Sequence, residues 1–272
     1  MSLRINTNVA ALNAYNNLST NQSKLDNAFS QLSSGLRINK AADDASGLAI
    51  SQGLTSQING LTQAVSNAKD ATNVAQIADG ALGTAQDVLQ RMRTLVVQAS
   101  STGTQDATSL SAIQSEITAL NSQLDKISSS TKFGTQNLLD GTYTSKTFQV
   151  GANAGDSITL SLTKSDSTTL GTDAIDVTTG TPSASLATID TAIQTVSSSR
   201  ADIGATQNQL TYTVNNLQTA ITNVSASRSN LTDADLATQV TAMTQQQILT
   251  NAATSVLAQA NSAPQAILKL LQ

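Results

Sequence analysis

The side chains that usually carry acid–base or nucleophilic chemistry are mostly missing from this chain. Its 272 residues include no His and no Cys, which removes the commonest general base near neutral pH, the usual thiolate nucleophile and the residues that build most zinc sites. Carboxylate pairs remain, at Asp43-Asp44 and at Asp233-Ala234-Asp235. Each stands just ahead of a stretch with helical apolar spacing, where a carboxylate caps the first turn and offsets the helix dipole. A calcium loop needs further oxygen ligands at set spacing and a mid-loop Gly, and neither site has them. Both pairs read as helix caps, so no catalytic residue, metal ligand or cofactor is expected.

Composition points to slender helices that pack on one another. Only 39% of the chain is hydrophobic and 2% aromatic, too little bulky filler for one thick globular core. Ala, Ser, Thr, Asn and Gln take its place, and such side chains let helices approach closely. Charged residues make up 12%, the net charge is -4, and no run of Lys or Arg occurs. Without clustered cations or aromatic platforms, nucleic acid is excluded as a partner. No apolar run approaches the length of a membrane span, and no basic, apolar signal segment follows Met1. If the chain is exported, it is expected to leave without a cleaved Sec-type signal.

The elements follow from the spacing of apolar residues. Ile5, Val9, Leu12, Leu18, Leu25, Phe29, Leu32 and Leu36 share one helical face with a stutter between Leu12 and Leu18, and Gly35 suits a left-handed cap. A connector over 36–46 precedes renewed helical spacing near Gly47. From Leu61 to Ala99 a seam steps by three and four residues without interruption, and seven of its twelve positions are Ala; the helix should be on the order of 60 Å long. Gly80 and Gly83 fall off that seam. After a polar break at 100–105, Leu110, Ile113, Ile117, Leu120, Leu124 and Ile127 predict an antiparallel neighbour. The period then changes to two: Phe148 and Val150, and Ile158, Leu160 and Leu162, flank a Gly151–Asp156 turn and predict a β-hairpin with one buried face. Ile175 and Val177 suggest a further short strand.

A return helix is expected from Ser183 or Ser185, its seam running from Leu186 to Leu231 with Arg200, Gln207 and Arg228 at three of the positions. Polar residues in a seam set register or mark the end of a bundle. The last helix carries Leu249, Val256, Ala263 and Leu270, interleaved with Ala253, Ala260 and Ile267, and Pro264 is expected to kink or interrupt it.

The two extremities pose a physical problem. Each is amphipathic but polar-rich, and one pair of such helices buries too little area to offset its ordering entropy. They are expected to be mobile in a single chain and to become ordered on identical copies, whose head-to-tail contacts build an open helical polymer. The candidate self-assembly residues are Ile5, Val9, Leu12, Leu18, Leu25, Leu32, Leu249, Val256, Ala260, Ile267 and Leu270.

Several segments resemble bacterial flagellin closely: Leu3 to Asn8 (LRINTN), Leu32 to Ile50 (LSSGLRINKAADDASGLAI), Leu89 to Gln98, Gln149 to Gly155 (QVGANAG), and Thr254 to Ala260 (TSVLAQA) with Pro264 and Leu271. The resemblance spans nearly the whole chain. Residues 163–182 leave no room for the large outer domains that many flagellins carry, so the resemblance is to a minimal form. It implies a mainly α fold, a long antiparallel helical bundle or coiled coil with a small β-hairpin region and paired N- and C-termini. Residues 1–42 with 233–272 would form the inner coiled-coil layer lining the filament channel, and residues 43–232 a helical rod with the β-hairpin region at about 133–180.

The implied function is that of a structural subunit of the flagellar filament, a self-assembling helical tube used as a propeller for motility, with a hook–filament junction protein as the alternative. The implied partners are other subunits, a filament cap protein, hook-associated proteins and a cytoplasmic export chaperone on the C-terminal helix. Type III export would place the product outside the cell, in the flagellum. Family members are also sensed by Toll-like receptor 5, and the matching positions are Arg91, Leu95 and Glu116, with Thr94 where an acidic residue is common. Arg91 and Glu116 read equally well as solvated charges or filament contacts.

Overall fold

The computed structural model describes residues 7–179 and 181–270, with side chains described as far as residue 262. Ile5 lies outside the described residues, and so do the side chains of Ala263, Ile267 and Leu270. Helices dominate: α1 (Val9–Ser34), α2 (Ala45–Ala99), α3 (Ala107–Ser130), α4 (Ser167–Leu170), α5 (Pro182–Thr232) and α6 (Leu236–Leu270). Two antiparallel hairpins lie between α3 and α4, formed by β1 (Lys132–Phe133) with β2 (Gln136–Asn137) and by β3 (Lys146–Gln149) with β4 (Ser157–Leu160). Contacts divide the chain into two compact units, residues 57–222 and residues 1–56 with 223–272.

The core of the 57–222 unit is built on the alanine seam. All twelve seam positions from Leu61 to Ala99 are buried. Alanine there lets α5 approach α2 closely, and Ile189, Val196 and Ile203 of α5 fill the remaining space together with Ile117 and Leu124 of α3. Arg200 falls within this packing and is bound on two sides. Its Nε donates to Asp79 Oδ1 at 2.8 Å and its Nη1 to Gln86 Oε1 at 2.7 Å. Gly83 lies between those partners, and a Cβ there would touch the guanidinium at 3.8 Å. Arg200 therefore ties α5 to two successive turns of α2, which is how a polar seam residue specifies register. Because Arg200 and Asp79 are both 38% exposed, Arg200→Met is expected to lower the urea midpoint by the equivalent of only about 1 kcal/mol.

The β3–β4 hairpin packs one face onto α2. Phe148 pairs with Ile158, and Val150 and Ile158 join Ala68, Ala71 and Leu210 in a second apolar cluster. Asn67 Nδ2 donates to the Gln149 carbonyl at 2.9 Å, and Gly60 lets the Ala152 turn come close, since a Cβ at 60 would lie 3.2 Å from that of Ala152. The expected strand at Ile175 and Val177 does not form. Both residues are buried, but their backbone is bound by one side chain: Gln114 Nε2 donates to the Ile175 carbonyl and its Oε1 accepts from Val177 N–H, each at 2.9 Å. The Gln114 amide satisfies the groups a neighbouring strand would otherwise pair.

In the other unit, α1 runs antiparallel to α6. Asn8 caps α1 by accepting from Ala11 N–H and donates to the Ala260 carbonyl at 2.8 Å, while Gly35, at φ 71°, ends α1 in the left-handed region. The face of α1 turned inward differs from the expected one. Ala11, Ala14, Leu18, Asn21, Leu25, Ala28 and Leu32 are buried or half-buried along it, an uninterrupted heptad seam that the half-buried Ser30 and Gln31 flank near the end of the helix. The stutter between Leu12 and Leu18 disappears because the seam passes through Ala14, and Val9, Leu12, Phe29 and Leu36 lie off it. Leu18, Leu25 and Leu32 of the expected face are on the seam, but reading only bulky residues missed Ala11, Ala14 and Ala28 between them, because close helix contact selects small ones there. Pro264 does not interrupt α6, which continues to Leu270.

Candidate functional site

One member of each carboxylate pair, Asp44 and Asp235, caps a helix. Asp44 Oδ1 accepts from Gly47 N–H at 2.8 Å and starts α2, and Asp235 Oδ1 accepts from Ala237 N–H at 3.0 Å and starts α6. Asp43 accepts from the backbone of Asn39 and Lys40 at 3.0 and 2.9 Å and closes the turn before α2. Between these caps the two connectors join as a short antiparallel bridge. Leu36 pairs with Asp233, Arg37 N–H donates to the Thr232 carbonyl at 2.7 Å and Ala234 N–H to the Gly35 carbonyl at 2.9 Å. Arg37 Nη2 also donates to the Leu231 carbonyl near the end of α5 at 2.6 Å, where a cation favours the helix dipole. Ile38 is buried against Gly47, and a Cβ at 47 would meet Ile38 Cδ1 at 2.7 Å. Gly is needed there for close approach.

This junction carries an acid dependence. The Lys40 and then the Asn39 amide hold the Asp43 carboxyl below the usual carboxylate range, and the Thr238 hydroxyl and then the Ala237 amide do the same for Asp235. A carboxyl whose folded pKa is depressed adds stability above its unfolded value, and loses it as pH falls through the folded one. Helical content measured by circular dichroism is therefore expected to fall below about pH 4. D43N/D235N should flatten that acid limb, and an unchanged limb would remove these two groups as its cause.

The α1–α6 pair leaves most of its large apolar residues in solvent. Of the fifteen large hydrophobic side chains exposed among the described residues, eleven belong to this unit; among its described residues the only large one buried is Ile38. The residues expected to join copies divide in two. Leu18, Leu25, Leu32 and Ala260 are half-buried in the α1–α6 pair itself. Val9, Leu12, Leu249 and Val256 are exposed on its outside, Val9 and Val256 both at 57%. The structure adds Tyr15, Phe29, Leu236, Val240 and Ile248 to the outer set, and Leu36 and Ile50 are exposed elsewhere in the same unit. Their signal in the sequence is an apolar residue off the seam of an otherwise polar helix. Val240, Thr241, Thr244, Gln245, Ile248 and Leu249 line a shallow apolar groove along α6.

The residues matched to receptor recognition lie in the 57–222 unit. Arg91 Nη2 pairs with Glu116 Oε1 at 2.7 Å across α2 and α3 on an exposed face, and Thr94 Oγ1 donates to the Arg91 carbonyl at 2.7 Å. Leu95, expected beside them, is only 2% exposed and packs in the core. Its position on α2 turns it toward the bundle next to Val96.

Comparison with known proteins gives one consistent family. A model described as the bacterial flagellin N-terminal helical region matches residues 5–144, and one described as the bacterial flagellin C-terminal helical region matches residues 186–271. The chain is 42% identical over 304 residues to a flagellin of Bacillus subtilis strain 168, covering 99% of this chain and 100% of that one. It resembles the crystal structure of Bacillus cereus flagellin with a TM-score of 0.50 and 30% identity, over 56% of this chain and 88% of that one. A structure described as a flagellar hook-associated protein of Vibrio parahaemolyticus has a TM-score of 0.60 over 70% of this chain and 100% of that one. At 15% identity that likeness is one of fold alone.

Proposed function

We propose, given that this chain belongs to the bacterial flagellin family, that residues 1–42 with 233–272 form the inner layer of a flagellar filament and that the outer apolar residues of α1 and α6 make its contacts between copies. The protein is a structural subunit of that filament, a minimal flagellin, and not an enzyme. The observation that carries the assembly reading is the set of eleven large apolar side chains left exposed on the terminal unit, a density that marks an interaction surface. Contact residues are Ile5, Val9, Leu12, Leu249, Val256, Ile267 and Leu270, while Leu18, Leu25, Leu32 and Ala260 hold the helix pair that presents them. A hook–filament junction role is not favoured, since the hook-associated likeness is one of fold at 15% identity against 42% to a flagellin over nearly the full length.

Residues 43–232 form the next layer of the filament, carrying the hairpins. The subunit leaves the cell by type III export, escorted by a chaperone on the C-terminal helix, and joins the extracellular filament beneath a cap protein. Arg91 and Glu116 form the face offered to Toll-like receptor 5, with Leu95 supporting it from within. R91A/E116A is expected to weaken receptor activation by soluble monomer at least tenfold while seeded growth continues; unchanged activation removes those residues from the receptor face.

The assembly reading is tested by adding filament fragments as seeds to purified chain and imaging the product by electron microscopy. Long helical fibres with a central pore are expected. A small closed oligomer unable to extend the seeds would overturn it.

A further inference from the structure

The seam between α1 and α6 contains polar atoms with no partner. Gln246 Oε1 and Thr250 Oγ1 are shielded from solvent and make no hydrogen bond. Thr250 is unlike its neighbours in the same helix, for Thr241 and Thr244 donate to the carbonyls of Ala237 and Val240. The antiparallel register is anchored at one end by Asn8 on Ala260 and at the other by the Leu36–Asp233 bridge. Asn21 of α1 and Gln246 of α6 both fall midway between those anchors, so the half-buried Asn21 brings a third polar residue to the same level. Its position in the heptad is the one Ala14 and Ala28 occupy, where an apolar seam uses a small side chain. Each enclosed, unpaired polar atom gives up its water without a protein partner in return, which weakens the closed pair relative to the open chain.

We propose that Asn21, Gln246 and Thr250 form a polar layer that keeps the α1–α6 pair from closing stably in a single chain, so that its order depends on copies packed against the outer apolar residues. This rests on the assembly reading above and names the residues that set its threshold. The layer sits at the centre of the seam, where one turn of weakened contact separates the α1–α6 pair into two short halves. Neither half is long enough to hold a helix by itself.

The test is hydrogen exchange of full-length monomer at a concentration too low for assembly, comparing the wild type with N21A/Q246L/T250V. Amides of residues 9–34 and 236–260 are expected to gain at least tenfold in protection, with residues 57–222 unchanged. T250V alone, nearly isosteric and removing only the orphaned hydroxyl, should gain roughly threefold, so the proposal is still tested if the triple variant associates. Protection that is unchanged or lower in both variants overturns the polar layer. Seeded growth of the wild type, measured in parallel, tests the assembly reading separately. If the wild type fails to grow, that reading falls whatever the exchange shows; if it grows while the variants gain no protection, only the polar layer falls.

Discussion

Replacing Ile248 and Leu249 together by Asp is expected to abolish seeded filament growth while leaving the urea midpoint of the 57–222 unit unchanged. The two side chains are 62% and 40% exposed and help line the groove along α6, so their loss removes little from the fold of the chain. Their burial between copies would contribute about 1–2 kcal/mol each, allowing for the part already shielded, and a carboxylate forced into the same contact adds a desolvation cost of its own. The total exceeds 3 kcal/mol, more than a hundredfold in the concentration needed for growth. Because every subunit meets neighbours on both sides, one chain's defect is felt at each addition. Growth within tenfold of the wild type would show that this face of α6 is not between copies.

Leu89→Ala should produce the largest loss of stability, about 2–5 kcal/mol by urea unfolding of the monomer. Leu89 is 0% exposed, in the same core cluster as Ala85 and Met92, and it is one of the few large side chains in a seam otherwise built of Ala. The surrounding helices are held by Arg200 on Asp79 and Gln86, so they cannot collapse freely into the cavity. The converse substitution, Ala75→Leu, is expected to cost 1–3 kcal/mol by forcing α5 away from α2. If Ala75→Leu were neutral, the alanine seam would be a matter of composition and not of close packing.

The two seams were not equally legible. Between Leu61 and Ala99 the three-and-four spacing runs through twelve positions, and all of them are buried, because one helix that long with Ala at most contacts has only one face on which another helix can pack closely. The β3–β4 hairpin was legible for the same kind of reason, since Phe148, Ile158 and Leu160 keep a period of two across a glycine-rich turn. The β1–β2 hairpin was not, as strands of two residues carry no period. The Ile175–Val177 segment read as a strand because its apolar alternation is that of one; the partner is a glutamine side chain on α3, and nothing near it in sequence announces Gln114.

The ends of the chain show the limit most clearly. Sequence alone determined that both are amphipathic helices too polar to form a core, that the absence of His and Cys leaves no catalytic or zinc site of the common kinds, and that a cap lies within each carboxylate pair, because local spacing and inventory are settled within a few residues; that Asp44 and Asp235 are the capping members was decided by the fold. Which apolar residues face the partner helix and which stay outside was decided by tertiary structure. Ala14, Asn21 and Ala28 face α6 while Leu12, Phe29 and Val256 remain outside, since close approach of two helices is an energy of the pair. No count of hydrophobic residues on one helix contains it.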